Sequence, residues 1–251
     1  MPEGDTLHRI AERLRPALAG KKLARFEAPR LRGERPRPGE VIEAVHARGK
    51  HLLIDFGGGL TLRTHLRMNG MWHLYRTGER WQRGPQYARA VVETDDGWCA
   101  VCFAAPTVET FHRRGAEPAA LARLGPDLCE PDVDLDAVLR RFEALAGAGD
   151  EIGDVLMDQR IAAGIGNMHK SEACFACGID PFTPVAGVPE ADRRRLYAAA
   201  HRNLRAHPGN AVYGKAGRPC PRCGTPIKRR RQGPQARSTY WCPRCQERPV
   251  E

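Results

Sequence analysis

The sequence predicts a multidomain α+β protein: a leading helix and a β-sandwich, then a helical segment, then a small four-cysteine β-hairpin. Three observations carry this reading. Short apolar runs broken by Gly-, Pro- and Asp-rich turns occupy residues from about 23 to 111, and amphipathic helical patterns occupy most of 134–206. Near the C terminus two Cys-Pro-Arg-Cys knuckles stand 18 residues apart.

The elements follow in order. Residues 5–19 read as an amphipathic helix, with Asp5 as its cap, Leu7, Ile10, Ala11, Leu14 and Leu18 on one face, Pro16 in its last turn and Gly20 after its end. Strand-like runs follow at Val41–Val45, His51–Phe56, Leu60–His65, Ala90–Thr94 and Val101–Ala104, which is the pattern of a sandwich or barrel. A Pro- and Ala-containing stretch at 115–133 separates this β region from four helical segments, Asp134–Leu145, Ile152–Ile161, Asn167–Cys177 and Glu190–Ala206. The tight Ala162-Ala163-Gly164-Ile165-Gly166 turn joins the second to the third, and two helices so joined have helix-turn-helix geometry. The domain boundaries expected are 1–115, 124–213 and 216–251.

The formal charge of +10 is unevenly placed. Residues 193–251 carry 15 Lys and Arg against two acids, Glu247 and Glu251, while 1–192 carry 25 basic and 28 acidic side chains. Charge confined to one end suits a grip on a polyanion better than general solubilisation. The sequence has no apolar run of 18 residues and no signal-peptide layout, so a soluble, intracellular protein is expected, with no membrane partner.

Nine cysteines, an odd number in a chain without an export signal, make metal ligation the first question. Cys220, Cys223, Cys242 and Cys245 have the spacing of one tetrahedral zinc site, and four protein ligands make that zinc structural. The intervening chain is long enough for a hairpin, with strands Ile227–Arg231 and Arg237–Trp241 and the turn 232–235. Its Lys228, Arg229, Arg230, Arg231 and Arg237 form either a solvated basic face or a phosphate contact; the charge asymmetry favours contact. Two further pairs, Cys99/Cys102 and Cys174/Cys177, lack knuckle-forming Gly or Pro and read as buried small side chains.

At the other end, Met followed by Pro is normally trimmed, which exposes Pro2 as a secondary amine. An α-amino group titrates near 7.7–8.0, so a usable fraction is neutral and nucleophilic at neutral pH. Glu3 beside it is a candidate general acid. By itself Pro-Glu-Gly equally fits a chain that simply starts there.

Met1-Pro-Glu-Gly4 before a helix, Gly49-Lys50-His51-Leu52-Leu53, Gly125-Pro126-Asp127, Asp158-Gln159 leading to Ala163-Gly164-Ile165-Gly166-Asn167, and the Arg237-to-Gln246 block occur in that order over essentially the whole chain. Together they resemble the formamidopyrimidine-DNA glycosylase/endonuclease VIII family. The resemblance implies an N-terminal catalytic β-sandwich, a helix-two-turn-helix DNA-binding domain and a zinc finger. It implies a bifunctional DNA glycosylase/AP lyase of base excision repair, acting on double-stranded DNA with oxidised bases or abasic sites.

In that reading Pro2 is the Schiff-base nucleophile, Glu3 protonates the opening deoxyribose, and Lys50 serves β-elimination and a phosphate. Arg237 holds phosphates and assists δ-elimination, while Asn167 binds a backbone phosphate and Arg123 makes a further DNA contact. His65-Leu-Arg-Met-Asn-Gly70 matches the family's wedge loop, so Arg67, Met68 and Asn69 fill the gap left by an extruded base, with Met68 as the apolar wedge. A lone Met in a β region would otherwise be core. Thr6 departs from the family pattern, which often has Glu there, and this puts details of the damaged-base pocket in doubt.

The 52 residues between Asn167 and Cys220, Tyr240-Trp241-Cys242 and Met71-Trp72 look closer to the endonuclease VIII branch, which implies oxidised pyrimidines. The alternative within the family is a purine-directed 8-oxoguanine/formamidopyrimidine glycosylase. Outside it stand a non-catalytic zinc DNA-binding protein, which has no need of Pro2, Glu3 and Lys50 together, and a Pro-amine tautomerase, which has no use for a basic finger. The family implies a bacterial cytoplasmic enzyme associated with the nucleoid, and a monomer is expected because a DNA groove needs no symmetry partner.

Overall fold

The computed structural model describes residues 2–206 and 208–247. The chain divides into two compact units, Met1–Ala122 and Arg123–Glu251.

The first unit opens with α1 (Gly4–Leu18), followed by β1 (Leu23–Glu27), β2 (Ile42–Arg48), β3 (His51–Phe56), β4 (Leu60–His65), β5 (Met71–Arg76), β6 (Ala88–Thr94), β7 (Trp98–Phe103), β8 (Thr107–His112) and the short α2 (Ala119–Ala122). The strands form two antiparallel four-stranded sheets, in the orders β1-β6-β7-β5 and β2-β3-β4-β8. One core unites them: Leu52, Ile54 and Phe56 of β3 and Leu60 and Leu62 of β4 share it with Ala90 and Val92 of β6 and with Trp72 of β5. Trp72 ties the sheets directly, its Nε1 donating to Thr64 Oγ1 of β4 at 3.0 Å. The helix adds Leu7, Ala11, Leu14 and Leu18 to the same core, as its apolar stripe requires. Arg15 fixes its angle by donating from Nε to Val45 O at 3.0 Å.

Two departures from the sequence reading have local causes. The residue at the cap position is Glu3, not Asp5: the Glu3 carbonyl accepts from the N–H groups of Thr6 and Leu7, and Asp5 sits inside the first turn, paired with Arg9 at 3.2 Å. Strands β1, β5 and β8 were not singled out. In β5, Trp72 enters the core while Tyr75 joins a second apolar cluster with Val91, Val101 and Phe103 on the sheet's other face, against which Trp81 packs. A strand with apolar groups on both faces loses the simple two-residue alternation.

The second unit contains α3 (Leu135–Leu145), α4 (Ile152–Val155), α5 (Asn167–Cys177), α6 (Glu190–Ala206), β9 (Lys228–Gln232) and β10 (Arg237–Trp241). Asp134 caps α3, accepting from Ala137 N at 3.0 Å. The helix expected over 152–161 is a single turn. Asp158 accepts from Arg160 N, and Gln159 turns the following chain through bonds to Met157 O, Ile165 O and Gly164 N, so side chains take over the backbone bonding of a continued helix. Gly125 is the only residue type that fits its place, since a Cβ there would lie 2.2 Å from Ile161 O. The Gly125-Pro126-Asp127 segment therefore lies flat on the Ala162–Gly164 turn, with Ala163 N donating to Pro126 O. The first hairpin strand is shifted by one residue from the expected 227–231 while the second has the expected bounds, and the core of this unit gathers Val138, Phe142, Ile152, Ile165, Leu196 and Tyr197.

Candidate active site and nucleic-acid interface

In the first unit, Pro2 is half-buried immediately ahead of α1, and Glu3 is 2% exposed. Pro2 therefore stands at the N-terminal, positive end of the α1 dipole. Thr6 donates to Asp5 Oδ1 at 3.3 Å, so the carboxylate of this turn belongs to its neighbour. Lys50 is half-buried in the two-residue turn between β2 and β3, made possible by Gly49 at φ +56°. Helix α1 packs on both strands that flank this turn.

Next to Lys50 are two histidines that the sequence reading did not use. The His51 and His65 rings pair across β3 and β4 with centroids 4.8 Å apart. Burial holds His51 down at about 3 and His65 at about 4, so both are neutral near pH 7. Unfolded histidines titrate near 6.5, so between these values the unfolded chain binds the extra proton and stability falls as pH falls, at up to about 1.4 kcal/mol per pH unit for each. A His51→Phe variant is expected to lose stability less steeply than the parent between pH 6.5 and 4.5 in urea melts. Parallel slopes would show that the fold does not hold this imidazole neutral.

The turn 66–70 is closed by Gly70 N donating to Leu66 O at 2.9 Å. Leu66 is buried, and a Cβ at Gly70 would come 2.5 Å from Leu66 O, so the loop is tight. Arg67, in the left-handed region at φ +47°, Met68 and Asn69 all project outward, and Met68 is 71% exposed. An exposed Met on a fixed turn is a poor core residue and a fit wedge.

In the second unit, Arg123 is exposed, and Asn167 is the first residue of α5. The Asn167 side chain is 7% exposed; its Nδ2 donates to Ser238 O at 2.6 Å and its buried Oδ1 has no hydrogen-bond partner. This binds α5 to β10, the strand of Arg237, whose guanidinium is half-exposed and donates to Gln235 Oε1 at 2.8 Å. The basic hairpin is not one uniform face. Lys228, Arg229, Arg230 and Arg231 are all exposed, but Arg230 also lies over Phe182 at 3.6 Å and pairs with Glu151 at 3.3 Å. Glu172 on α5 clamps the chain entering the finger, accepting from the N–H groups of Ala211, Val212 and Tyr213 at 2.7–3.0 Å.

The four knuckle thiols lie within 4.8 Å of one another, with Cys223–Cys242 at 3.5 Å and Cys220–Cys245 at 3.9 Å. Ligands about 2.3 Å from a tetrahedral zinc stand roughly 3.8 Å apart, so this set fits the ion. In each knuckle the first sulfur accepts a backbone bond: Arg222 N donates to Cys220 Sγ and Cys245 N to Cys242 Sγ, both at 3.4 Å. Thr225 bonds hold the Cys223 thiol down at about 6, while proximity to Cys223 pushes Cys245 up to about 12, so a cation is needed for all four to be thiolates. The zinc is structural and supplies no chemistry beyond holding the hairpin. By contrast, burial pushes Cys99 up to about 11 and Cys174 up to about 12, as expected of inert core thiols.

No helix among the described residues is long and apolar enough to cross a membrane.

Comparison with known proteins places these features in a family context. Residues 1–113 match the formamidopyrimidine-DNA glycosylase N-terminal domain, 124–209 that family's H2TH domain, and 217–248 the zinc finger found in FPG and IleRS. The chain is 40% identical to "Probable endonuclease 8 2" of Streptomyces coelicolor, over 100% of this chain and 95% of that protein. It is 37% identical to the DNA-(apurinic or apyrimidinic site) lyase Nei2 of Mycolicibacterium smegmatis, over 98% and 99% of the two. The crystal structure of MutM (FPG) from Thermus thermophilus superimposes with a TM-score of 0.80 at 29% identity, over 99% of this chain and 100% of that one.

Proposed function

The chain belongs to the formamidopyrimidine-DNA glycosylase/endonuclease VIII family, and from that premise we propose how its own residues perform the reaction. It is a bifunctional DNA glycosylase and AP lyase of base excision repair, a DNA-binding enzyme with one structural zinc. Its nucleophile is the amine of Pro2, exposed once Met1 is removed. The nitrogen bonds to C1′ of the damaged nucleotide as the bond from C1′ to the base breaks, and Glu3 protonates the ring oxygen as the sugar opens. The resulting iminium draws electrons from C2′, so a proton leaves there and the 3′ phosphate departs by β-elimination; hydrolysis then frees the amine. Lys50 assists that step and contacts a phosphate.

The observation that carries this reading is the placement of Pro2 and the buried Glu3 at the start of α1, on a helix packed against the strands that flank Lys50. Met68, with Arg67 and Asn69, fills the stack where the extruded nucleotide was. Asn167 and Arg237 take the backbone, Asn167 through its side chain and the N–H groups at the start of α5; Arg123 makes a further DNA contact, and Arg237 also assists δ-elimination.

Oxidised pyrimidines are the favoured substrates, with oxidised purines the alternative. Between Asn167 and Cys220 the chain is taken up by α5, the stretch 178–189, α6 and the short run into the finger, which leaves no long loop to cap a purine. Borohydride trapping on two duplexes, one with thymine glycol or dihydrouracil and one with 8-oxoguanine, followed by mass mapping, tests both parts. The expected result is an adduct on Pro2 with the pyrimidine lesion. Trapping only on 8-oxoguanine would move the enzyme to the purine branch, and no adduct on either would remove the proposed nucleophile.

A further inference from the structure

Lys170 of α5 has no role in the reaction described above, yet it is a fully buried cation, 0% exposed. It cannot touch a phosphate. A buried ammonium is strongly disfavoured unless its protons are satisfied, so its retention calls for a physical account. Its Nζ donates to Gln232 Oε1 at 3.1 Å and to Thr239 Oγ1 at 2.5 Å, and the Thr239 hydroxyl donates to the same Gln232 oxygen at 2.8 Å.

This triangle fixes the orientation of the Gln232 amide. With Oε1 accepting twice on the lysine side, Nε2 is turned the other way, where it donates to Glu151 Oε2 and to Pro181 O, both at 2.8 Å. Lys170 and Glu151 are thus linked through one oriented amide. The turn is seated as closely: a Cβ at Gly233 would lie 2.4 Å from Asp154 Oδ1, so β9 ends directly against α4. Gln232 is also the residue opposite Arg237 in the ladder.

The grip continues along the next strand. Asn167, Lys170 and Ser171 occupy one face of α5, at i, i+3 and i+4. They meet three consecutive residues of β10: Asn167 donates to Ser238 O, Lys170 to Thr239 Oγ1, and Ser171 Oγ accepts from Tyr240 N at 3.5 Å. We propose that Lys170 is a positioning residue, which through Gln232 and Thr239 holds the hairpin on α5 so that Arg237 is presented to the DNA backbone. The inference rests on Arg237 being a phosphate ligand.

The test uses the full-length, zinc-loaded chain and a duplex with an abasic site. Dissociation constants are measured against salt for Lys170→Met, Arg237→Ala and the double variant. Lys170→Met is expected to keep its zinc, to bind about tenfold more weakly, and to show a log–log salt slope shallower by about 1. If Lys170 acts through Arg237, the double variant binds no more weakly than Arg237→Ala. Parental affinity and slope in Lys170→Met, or a loss that adds in full onto that of Arg237→Ala, would overturn the proposal. Unchanged binding by Arg237→Ala would instead remove the phosphate-ligand reading beneath it. Should Lys170→Met lose zinc, Thr239→Val replaces it: this keeps shape and lysine but removes one corner of the triangle, and the same pattern of outcomes decides.

Discussion

Pro2→Glu is expected to abolish the borohydride-trapped adduct while leaving affinity for abasic DNA within a few-fold of the parent. The larger second side chain keeps Met1 in place, so the amine is moved one residue away from the start of α1 and position 2 becomes an amide nitrogen without a nucleophilic lone pair. Strand cleavage should fall by on the order of 10⁴-fold, as when a covalent nucleophile is removed elsewhere. Binding is carried by other groups, Arg237 among them in the second unit, so it should survive. Single-turnover cleavage and fluorescence anisotropy on the same duplex separate the two quantities. Parental cleavage with Met1 confirmed by mass would sink Pro2 as nucleophile.

The second large effect is expected from Cys242→Ser, which removes one of four ligands. The apolar core of the finger is small: its buried cluster is Phe175, Val212, Cys220, Ile227 and Cys242, and two of these five are ligands. A core that small does not fold a hairpin by itself, whereas structural zinc contributes roughly 10–16 kcal/mol. With zinc gone, β9 and β10 should lose their pairing and the Lys170 triangle should open. Affinity for abasic DNA should drop by about 10²-fold or more, since phosphate contacts dominate binding. The β-sandwich should keep its own melting transition, because all four ligands are local to the C-terminal segment. Zinc content, anisotropy and a thermal melt check the three parts. One zinc per chain with parental affinity would show that three thiolates suffice.

The zinc site is legible in the sequence itself. Cys220, Cys223, Cys242 and Cys245 are readable because a tetrahedral ion imposes a short, fixed spacing on its ligands. The roles proposed for Pro2 and Glu3 come from chain position and family resemblance, and that of Met68 from a block that matches a known loop. The leading helix and the hairpin are readable because capping, periodicity and turn residues are local signals.

What was not legible depends on partners far away in the chain. The expected helix over 152–161 stops at Val155 because Gln159 and Asp158 bond the backbone from the side. Arg230, one of four consecutive exposed basic residues, is the one that stacks on Phe182 and pairs with Glu151, 48 and 79 positions away. His51 and His65 are kept neutral by burial between strands, and Lys170 is fully buried, with its Nζ donating to Gln232 and Thr239 from the hairpin. The sequence by itself determined which groups the protein owns: the amine, the thiolates and the stretch of positive charge. Only the tertiary structure decided which of those charges face water and which are spent inside, because the energy of a charge is set by the dielectric and the partners around it, and those arrive from distant segments.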